Sequence, residues 1–273
     1  MNKSYSLNDR MKENYENRSK TYLTRRVPVI IRLDGKAFHT LTRGLKRPYD
    51  EIFRNTMNAT TKYLCENIQG CKIGYTQSDE ITLLLTDYDT LTTDSWFDYS
   101  VQKLCSVSAS MATFAFNKYF RRFVSDMLCK MDTFAPTQEE QDYVNTLARI
   151  EDKGAMFDSR CFNIPEDEIV NCFIWRQQDA TRNAIQMLGQ YYFSHKELEG
   201  KSNSDIQDML MLDESINFND QPTFFKRGVC CLKKEVKCTD RLTGVKTEWV
   251  IDKEIPIFTK DRTYIEKTYE VKE

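Results

Sequence analysis

Two apolar segments of the sequence end at acidic residues, and this feature constrains the fold more than any other. Residues 27–34 read VPVIIRLD, a run of β-branched and aliphatic residues that predicts a buried strand ending at Asp34. Residues 72–76 and 80–85 predict two more strands, and the turn between them contains Asp79, as in a β-hairpin. Because strands of one sheet end along shared edges, the two carboxylates are expected to meet there.

The other elements of the first half predict an α+β order. Residues 50–68 predict a helix with Asp50 as its N-cap, residues 97–120 a long helix, and residues 160–163 a strand. The order strand–helix–strand–strand–helix–strand is the ferredoxin-like βαββαβ arrangement, an antiparallel sheet with two helices on one face. It resembles the palm domain of nucleotide polymerases. The charged residues 134–156 are interpreted as a connection.

The second half predicts a helical and β C-terminal extension. Its helices are expected at 167–193 and 204–212, and its strands at 223–236 and 247–256. We expect a palm-like catalytic domain over residues 1–165 and an extension over 166–273 that packs on the palm as one compact unit. Within the extension, Phe173 and Trp175 are expected in the core, because large aromatic side chains are usually buried.

Composition narrows the class of protein. A content of 40% hydrophobic and 29% charged residues is typical of soluble globular proteins, and no apolar run approaches the roughly 20 residues that span a bilayer. The N-terminus is polar, so we expect no secretory signal and a cytoplasmic protein. The nine cysteines and two histidines lack zinc-site spacing. The net charge of -2 gives no overall basic field for nucleic acid.

The two strand-end carboxylates predict a metal site. Carboxylates a few ångströms apart repel each other unless a cation neutralises them, and oxygen ligands favour magnesium. Two such ions roughly 4 Å apart can activate an attacking oxygen and stabilise a leaving one. Asp-Gly and Ser-Asp are also common turn dipeptides, so either acid alone would be interpreted as structural. Asp34 and Asp79 together, each at the end of an apolar strand, favour metal binding.

The segments RLDGKAFHTLT and YTQSDEITLLL together resemble the paired signature of the tRNA-histidine guanylyltransferase family. Further matches follow in order: KRPYD at 46–50, FDSR at 157–160, WRQQDATRN at 175–183 and FFKRG at 224–228. The resemblance spans about residues 5–235. It implies a polymerase-like palm that extends RNA in the reverse, 3′-to-5′ direction.

In the scheme that this resemblance implies, ATP activates the 5′-monophosphate of a tRNA to an adenylylated end. The 3′-hydroxyl of GTP then attacks that end and releases AMP. The resemblance further implies two Mg²⁺ ions, tRNA and nucleoside triphosphates as partners, and a homotetramer. The lack of a bilayer-length apolar run predicts no membrane partner.

The resemblance also implies roles for individual residues. Asp34, Asp79 and the backbone carbonyl of Gly35 would bind the magnesium ions, with Glu80 beside them as a further catalytic residue. The implied nucleotide-binding residues are Lys36, Ala37, Phe38, His39, Arg47, Ser78, Lys103 and Asn183. The implied RNA or phosphate contacts are Arg160, Lys226 and Arg227.

Two departures from the family pattern bear on the substrate. Thr181 stands where the eukaryotic enzymes have the histidine of their His-Ile-Asn-Asn-Leu-Tyr-Asn motif, and Ser100 stands where the family has an arginine. The chain therefore resembles the guanylyltransferase-like branch, whose members repair 5′-truncated tRNA by template-directed addition. The alternatives are obligatory addition of one guanosine to histidine tRNA, a non-polymerising palm that binds nucleotide or RNA, and a palm-type cyclase.

Overall fold

The computed structural model describes residues 6–131, 137–237 and 245–270. Its centre is a six-stranded sheet in which every strand runs antiparallel to its neighbours, in the order β4-β1-β3-β2-β5-β6. The strands are β1 Val29–Gly35, β2 Cys71–Gln77, β3 Glu80–Leu85, β4 Phe157–Asn163, β5 Val229–Lys237 and β6 Val245–Asp252. The α-helices are α1 Leu7–Asn14, α2 Phe38–Leu41, α3 Glu51–Asn67, α4 Val101–Leu128, α5 Gln138–Lys153, α6 Ile169–Tyr192, α7 His195–Leu198, α8 Asn203–Asp213, α9 Thr223–Arg227 and α10 Thr263–Glu266.

The first four strands form the palm, and α3 and α4 cover one face of it. Alternate residues of β1, among them Ile31 and Leu33, share a buried cluster with Leu64 of α3 and Phe116 of α4. Asp50 caps α3 by accepting a hydrogen bond from the backbone N–H of Phe53 at 3.0 Å, as the sequence predicts. The order β4-β1-β3-β2 with two helices on one face confirms the α+β, palm-like fold.

The C-terminal extension covers the other face. Ile30 of β1 and Leu84 of β3 point away from α3 and α4 into a second buried cluster, with Phe173 of α6 and Phe258 near the end of the chain. The central strands are thus buried on both faces, which explains why their sequences are continuously apolar. The extension also adds β5 to the edge of β2. The boundary at residue 165 stays a prediction.

Three predicted elements are wrong in part. Residues 138–153 are helix α5 rather than a connection, and Thr137 and Glu140 form a capping box at its start. Residues 223–227 are helix α9, and the expected strand begins only at Val229. Helix α4 continues to Leu128, eight residues beyond the predicted end. Cys238 lies outside the described residues. No helix within the described ranges has the length and apolar character needed to cross a bilayer.

Candidate active site

The turn after β1 has an unusual backbone that depends on Phe38. A Cβ atom on Gly35 would overlap the ring of Phe38, so this ring, rather than a ligand, fills the space that the glycine leaves open. The ring is 3% exposed and packs against Phe116 and Phe157, with ring centres 5.4 and 5.1 Å away. Ala37, between them, has a left-handed backbone with φ 54° and begins the short helix α2. Side-chain packing against Phe38, rather than the close approach of a ligand, therefore explains why a glycine stands at this position.

The turn between β2 and β3 has a matching irregularity. Gln77 pairs with Glu80 at the end of the ladder, so Ser78 and Asp79 form the turn itself. Ser78 has a left-handed backbone with φ 52°. Non-glycine residues in this conformation carry strain and are concentrated at functional sites. Each of the two aspartates thus lies within three residues of a strained position, and β1 pairs directly with β3.

A cavity of about 580 Å³ opens between these two turns, α3 and the second half of α6. That volume lies in the range of small-molecule sites. The sequence-predicted residues that line the cavity are Asp34, Gly35, Ala37, Phe38, His39, Arg47, Ser78, Asp79 and Asn183. Lys36, Glu80, Lys103, Arg160, Lys226 and Arg227 do not belong to its lining.

The two aspartates carry raised pKa values. Burial raises the pKa of Asp79 to about 6, and the negative charge of Asp34 adds to the rise, while hydrogen bonds from its own backbone and from Ser78 oppose it. Burial also raises the pKa of Asp34, followed by the charges of Glu80 and Asp158. Each carboxylate therefore lies where a bound cation would stabilise its ionised form.

This donor set fits magnesium better than zinc. Within the described ranges, no group of three or more His, Cys, Asp or Glu side chains is arranged to hold a metal ion. Magnesium binds through one or two carboxylates and completes its shell with water and substrate phosphates, so the two aspartates and the Gly35 carbonyl suffice for it. Their role as metal ligands stays a prediction.

Glu80 lies in an ion-pair network beside the cavity. Its carboxylate accepts hydrogen bonds from Arg176 at 2.6 Å and from Arg32 at 3.3 Å. Arg176, only 5% exposed, also binds Asp179 at 2.8 Å. In this structure the charge of Glu80 is thus compensated by two guanidinium groups, and its predicted place beside the metals stays untested.

The remaining predicted residues lie at three places. Lys103 lies in the first turn of α4, away from the two aspartates. Two residues later, Cys105 approaches Cys161, which pairs with Ile31 rather than with the active-site end of β1. The Lys103 ammonium instead lies 5.2 Å from the ring of Phe97.

Lys36 and Arg160 lie at the edge of the site. The backbone N–H of Lys36 donates to the carbonyl of Met156 at 2.9 Å, and its side chain is exposed. Arg160 is exposed on β4 and pairs with Asp158 at 3.0 Å. Lys226 donates to the backbone carbonyl of Asn219, while burial and the neighbouring Arg227 lower its pKa.

Comparison with known proteins decides the family. The model of a family described as tRNAHis guanylyltransferase matches residues 8–165, more than half of the chain. The chain belongs to the tRNAHis guanylyltransferase family. It is accordingly a nucleotidyltransferase, and its palm is the part that the family model matches.

Two curated relatives are similar to this chain along most of its length. An uncharacterised protein of Acanthamoeba polyphaga mimivirus is 31% identical over 78% of this chain and 72% of its own length. The tRNA(His) guanylyltransferase of Saccharomyces cerevisiae is 25% identical over 76% of this chain and 82% of its own.

Solved structures extend the agreement. A bacterial tRNA(His) guanylyltransferase-like protein in complex with ATP superposes with a TM-score of 0.80 at 42% identity, covering 98% of this chain and 100% of the other. A bacterial protein of this kind in complex with GTP superposes with a TM-score of 0.76 at 39% identity, covering 97% of this chain and 99% of the other. The Saccharomyces cerevisiae enzyme, at 19% identity and a TM-score of 0.62, covers 92% of this chain and 100% of its own and supports the fold alone.

One wall of the cavity is aromatic, and the sequence analysis of this guanylyltransferase-family chain did not predict it. Tyr49 packs against Phe224 and Phe225, with ring centres 5.2 and 5.3 Å away, and the guanidinium of Arg54 lies 4.4 Å from the ring of Phe224. All four line the cavity. The segments KRPYD and FFKRG gave a signal, because each contributes aromatic residues, but only the fold brings them together.

Phe173 and Trp175 of α6 were both expected in the core, but only one of them is buried. Phe173 is fully buried, as expected. Trp175 was expected in the core, and this is wrong: it is 47% exposed. Helix periodicity explains the difference, since residues two positions apart lie on different sides of a helix.

Proposed function

We propose that this protein is a magnesium-dependent nucleotidyltransferase that adds nucleotides in the 3′-to-5′ direction to the 5′ end of tRNA, and that it repairs 5′-truncated tRNA. The observation that carries the proposal is the meeting of Asp34 and Asp79 at one cavity large enough for a nucleotide. Membership of the guanylyltransferase family and the ATP and GTP complexes of the similar bacterial proteins support it.

Asp34, Asp79 and the carbonyl of Gly35 are the groups that would hold magnesium, whose bound ions neutralise phosphate charge and polarise the reacting oxygens. The role of the chain is to fix these donors. Gly35 is locked by the ring of Phe38, and Asp79 by the hairpin turn. Pre-organised ligands of this kind lose little freedom when substrate arrives.

The triphosphate would lie along the turn that follows β1. Ala37 adopts a left-handed backbone directly before the right-handed turn of α2, and such alternation points successive N–H groups toward an anion. Arg47 and His39 line the same cavity and add positive charge or hydrogen-bond donors. The aromatic wall of Tyr49 and Phe224 offers a surface for the base.

The proposed reaction has two transfers. The 5′-monophosphate of the RNA attacks the α-phosphate of ATP and releases pyrophosphate, which leaves a 5′-adenylylated RNA. The 3′-hydroxyl of GTP then attacks the 5′-phosphate of the RNA, loses its proton and releases AMP. Phosphoryl transfer of this kind depends on positioning and charge neutralisation more than on an activated side-chain nucleophile.

Thr181 supports repair over obligatory guanosine addition. Its hydroxyl lies within hydrogen-bond distance of two backbone carbonyls, Gln177 at 3.0 Å and Lys226 at 2.9 Å, and its single proton is shared between them, so it connects α6 to α9. The threonine that replaces the family histidine is thus occupied within the protein. A homotetramer and a cytoplasmic location remain predictions.

The test is extension of a 5′-monophosphorylated tRNA that lacks its first nucleotide, with Mg²⁺, ATP and each of the four nucleoside triphosphates. Repair predicts that the added nucleotide pairs with the opposite strand and changes when that strand is changed. Addition of G alone, whatever the opposite base, would instead support obligatory guanosine addition.

Asp34→Ala and Asp79→Ala should each lower the extension rate on the order of 10³-fold or more. Asp126→Ala is the matched control, since that exposed carboxylate lies near the end of α4 and pairs with Arg122 at 3.9 Å. Robust extension by either active-site variant would refute the proposal.

A further inference from the structure

An exposed tryptophan lies among arginines beside the cavity. The guanidinium carbons of Arg32 and Arg176 lie 4.9 and 4.5 Å from the centre of the Trp175 ring. Arg176 is 5% exposed, so it supports the indole from the protein interior, while Trp175 keeps 47% of its surface in solvent. An aromatic side chain that is held in place and left open is typical of a binding surface.

Arg160 extends this surface across the sheet. In the ladder between β1 and β4, Arg160 lies opposite Arg32, and Asp158 lies opposite Asp34. Directly opposed residues of antiparallel strands point to the same face. The Arg160 side chain is 55% exposed and its ion pair with Asp158 is also exposed, so a phosphate can replace the carboxylate at little cost. We call the surface formed by Trp175, Arg32 and Arg160 the tryptophan–arginine surface.

Asp34 lines the cavity, whereas Trp175, Arg32 and Arg160 do not, so the cavity and the tryptophan–arginine surface are separate places near Asp34. The cavity is bounded by the β2–β3 turn, α3 and the second half of α6, whereas Trp175 is in the first half of α6 and contacts Arg32 of β1, which pairs with Arg160 of β4. In nucleotidyl transfer the attacking and leaving oxygens lie roughly in line through the phosphorus. The attacking and leaving groups must therefore reach the phosphorus from opposite sides, and a cavity with a separate binding surface near Asp34 can hold the two substrates in that way.

We infer that the tryptophan–arginine surface binds the phosphorylated 5′-terminal nucleotide of the RNA, while the nucleoside triphosphate occupies the cavity. This inference rests on the proposed function. Trp175 stacks on the terminal base, since stacking tolerates any base and repair must accept every sequence. Arg160, with Arg32 beside it, binds the 5′-phosphate through charge-assisted hydrogen bonds.

The experiment measures equilibrium binding by the full chain of a labelled acceptor-stem hairpin that lacks its first nucleotide, with either a 5′-monophosphate or a 5′-hydroxyl. Trp175→Ala should raise the RNA Kd about tenfold, and Trp175→Phe, which keeps a stacking ring, by no more than about threefold. Arg160→Ala should reduce the preference for the 5′-monophosphate. Arg122→Ala is the matched control, because Arg122 is an exposed arginine of α4 with 70% of its side chain in solvent.

Binding of GTP, measured in parallel, separates this surface from the cavity. Each variant should keep the wild-type Kd for GTP. A Trp175→Ala protein that binds the RNA as tightly as wild type would overturn the inference and leave the proposed function intact. Equal losses of GTP and RNA binding would also overturn it, because the tryptophan would then support the fold. If the wild-type protein bound neither hairpin, the proposed function itself would fail.

Discussion

Replacing Gly35 by alanine tests whether the turn after β1 depends on the ring of Phe38. The added Cβ would overlap the Cγ, Cδ2 and Cε2 atoms of that ring. The ring cannot turn away, since Phe53, Phe116 and Phe157 surround it with ring centres 5.1 to 6.0 Å away. Overpacking of this kind costs about 1–3 kcal/mol, so Gly35→Ala should lower the free energy of unfolding by that amount.

A double-mutant cycle isolates the contact. In a Phe38→Ala background the ring is gone, and Gly35→Ala should then be neutral or stabilise by up to about 1 kcal/mol, because alanine restricts the unfolded chain. The four proteins are compared by urea unfolding, and the KM for GTP reports whether the turn has moved. A Gly35→Ala protein with wild-type stability in both backgrounds would refute the packing argument.

Three further predictions follow from the same region. Arg176→Met should destabilise the protein by about 3 kcal/mol in urea unfolding, because it leaves Glu80 without its 2.6 Å partner in a half-buried site; a change below about 0.5 kcal/mol would contradict this. Without metal, the raised pKa of Asp79, about 6, makes folding less favourable as pH rises from 4 to 7, so Asp79→Asn should gain about 1–3 kcal/mol over wild type at pH 8 and nothing at pH 4. Removal of Mg²⁺ by a chelator should abolish extension, and restored Mg²⁺ should recover it; unchanged activity in the chelator would exclude metal dependence.

Much of the palm could be predicted because its signals are local. The apolar run that ends at Asp34 and the hairpin around Asp79 specify strands, and pairing of β1 with β3 then brings the two acids to one cavity. Helix α5 was not predicted because most of its residues are charged or polar and only a narrow apolar stripe, which includes Leu147 and Ile150, faces the core. The capping box at its start is present in the sequence. The highly charged residues 134–156 were interpreted as a connection, and the helical spacing of the few apolar residues was given too little weight.

Contacts between distant segments could not be predicted. Lys103 matched a family lysine in sequence, yet only the packing of α4 on β4 determines that it lies away from the two aspartates. The exposure of Trp175 likewise depends on how α6 is rotated over the sheet, and the guanidinium groups around it come from two separate elements. The spacing of residues in the sequence predicts which side chains share a face of a helix or strand, but it does not predict which other element packs against that face.

The double-sided burial of the central strands has a consequence during synthesis. The residues of the palm leave the ribosome first, and roughly a hundred more must follow before the second face is covered, a delay of about 5–20 s at bacterial or eukaryotic elongation rates. Until then Ile30, Tyr75 and Leu84, all buried in the complete protein, form an exposed hydrophobic surface on the nascent chain. Such a chain should recruit chaperones co-translationally, and a gene truncated after the palm should yield insoluble product.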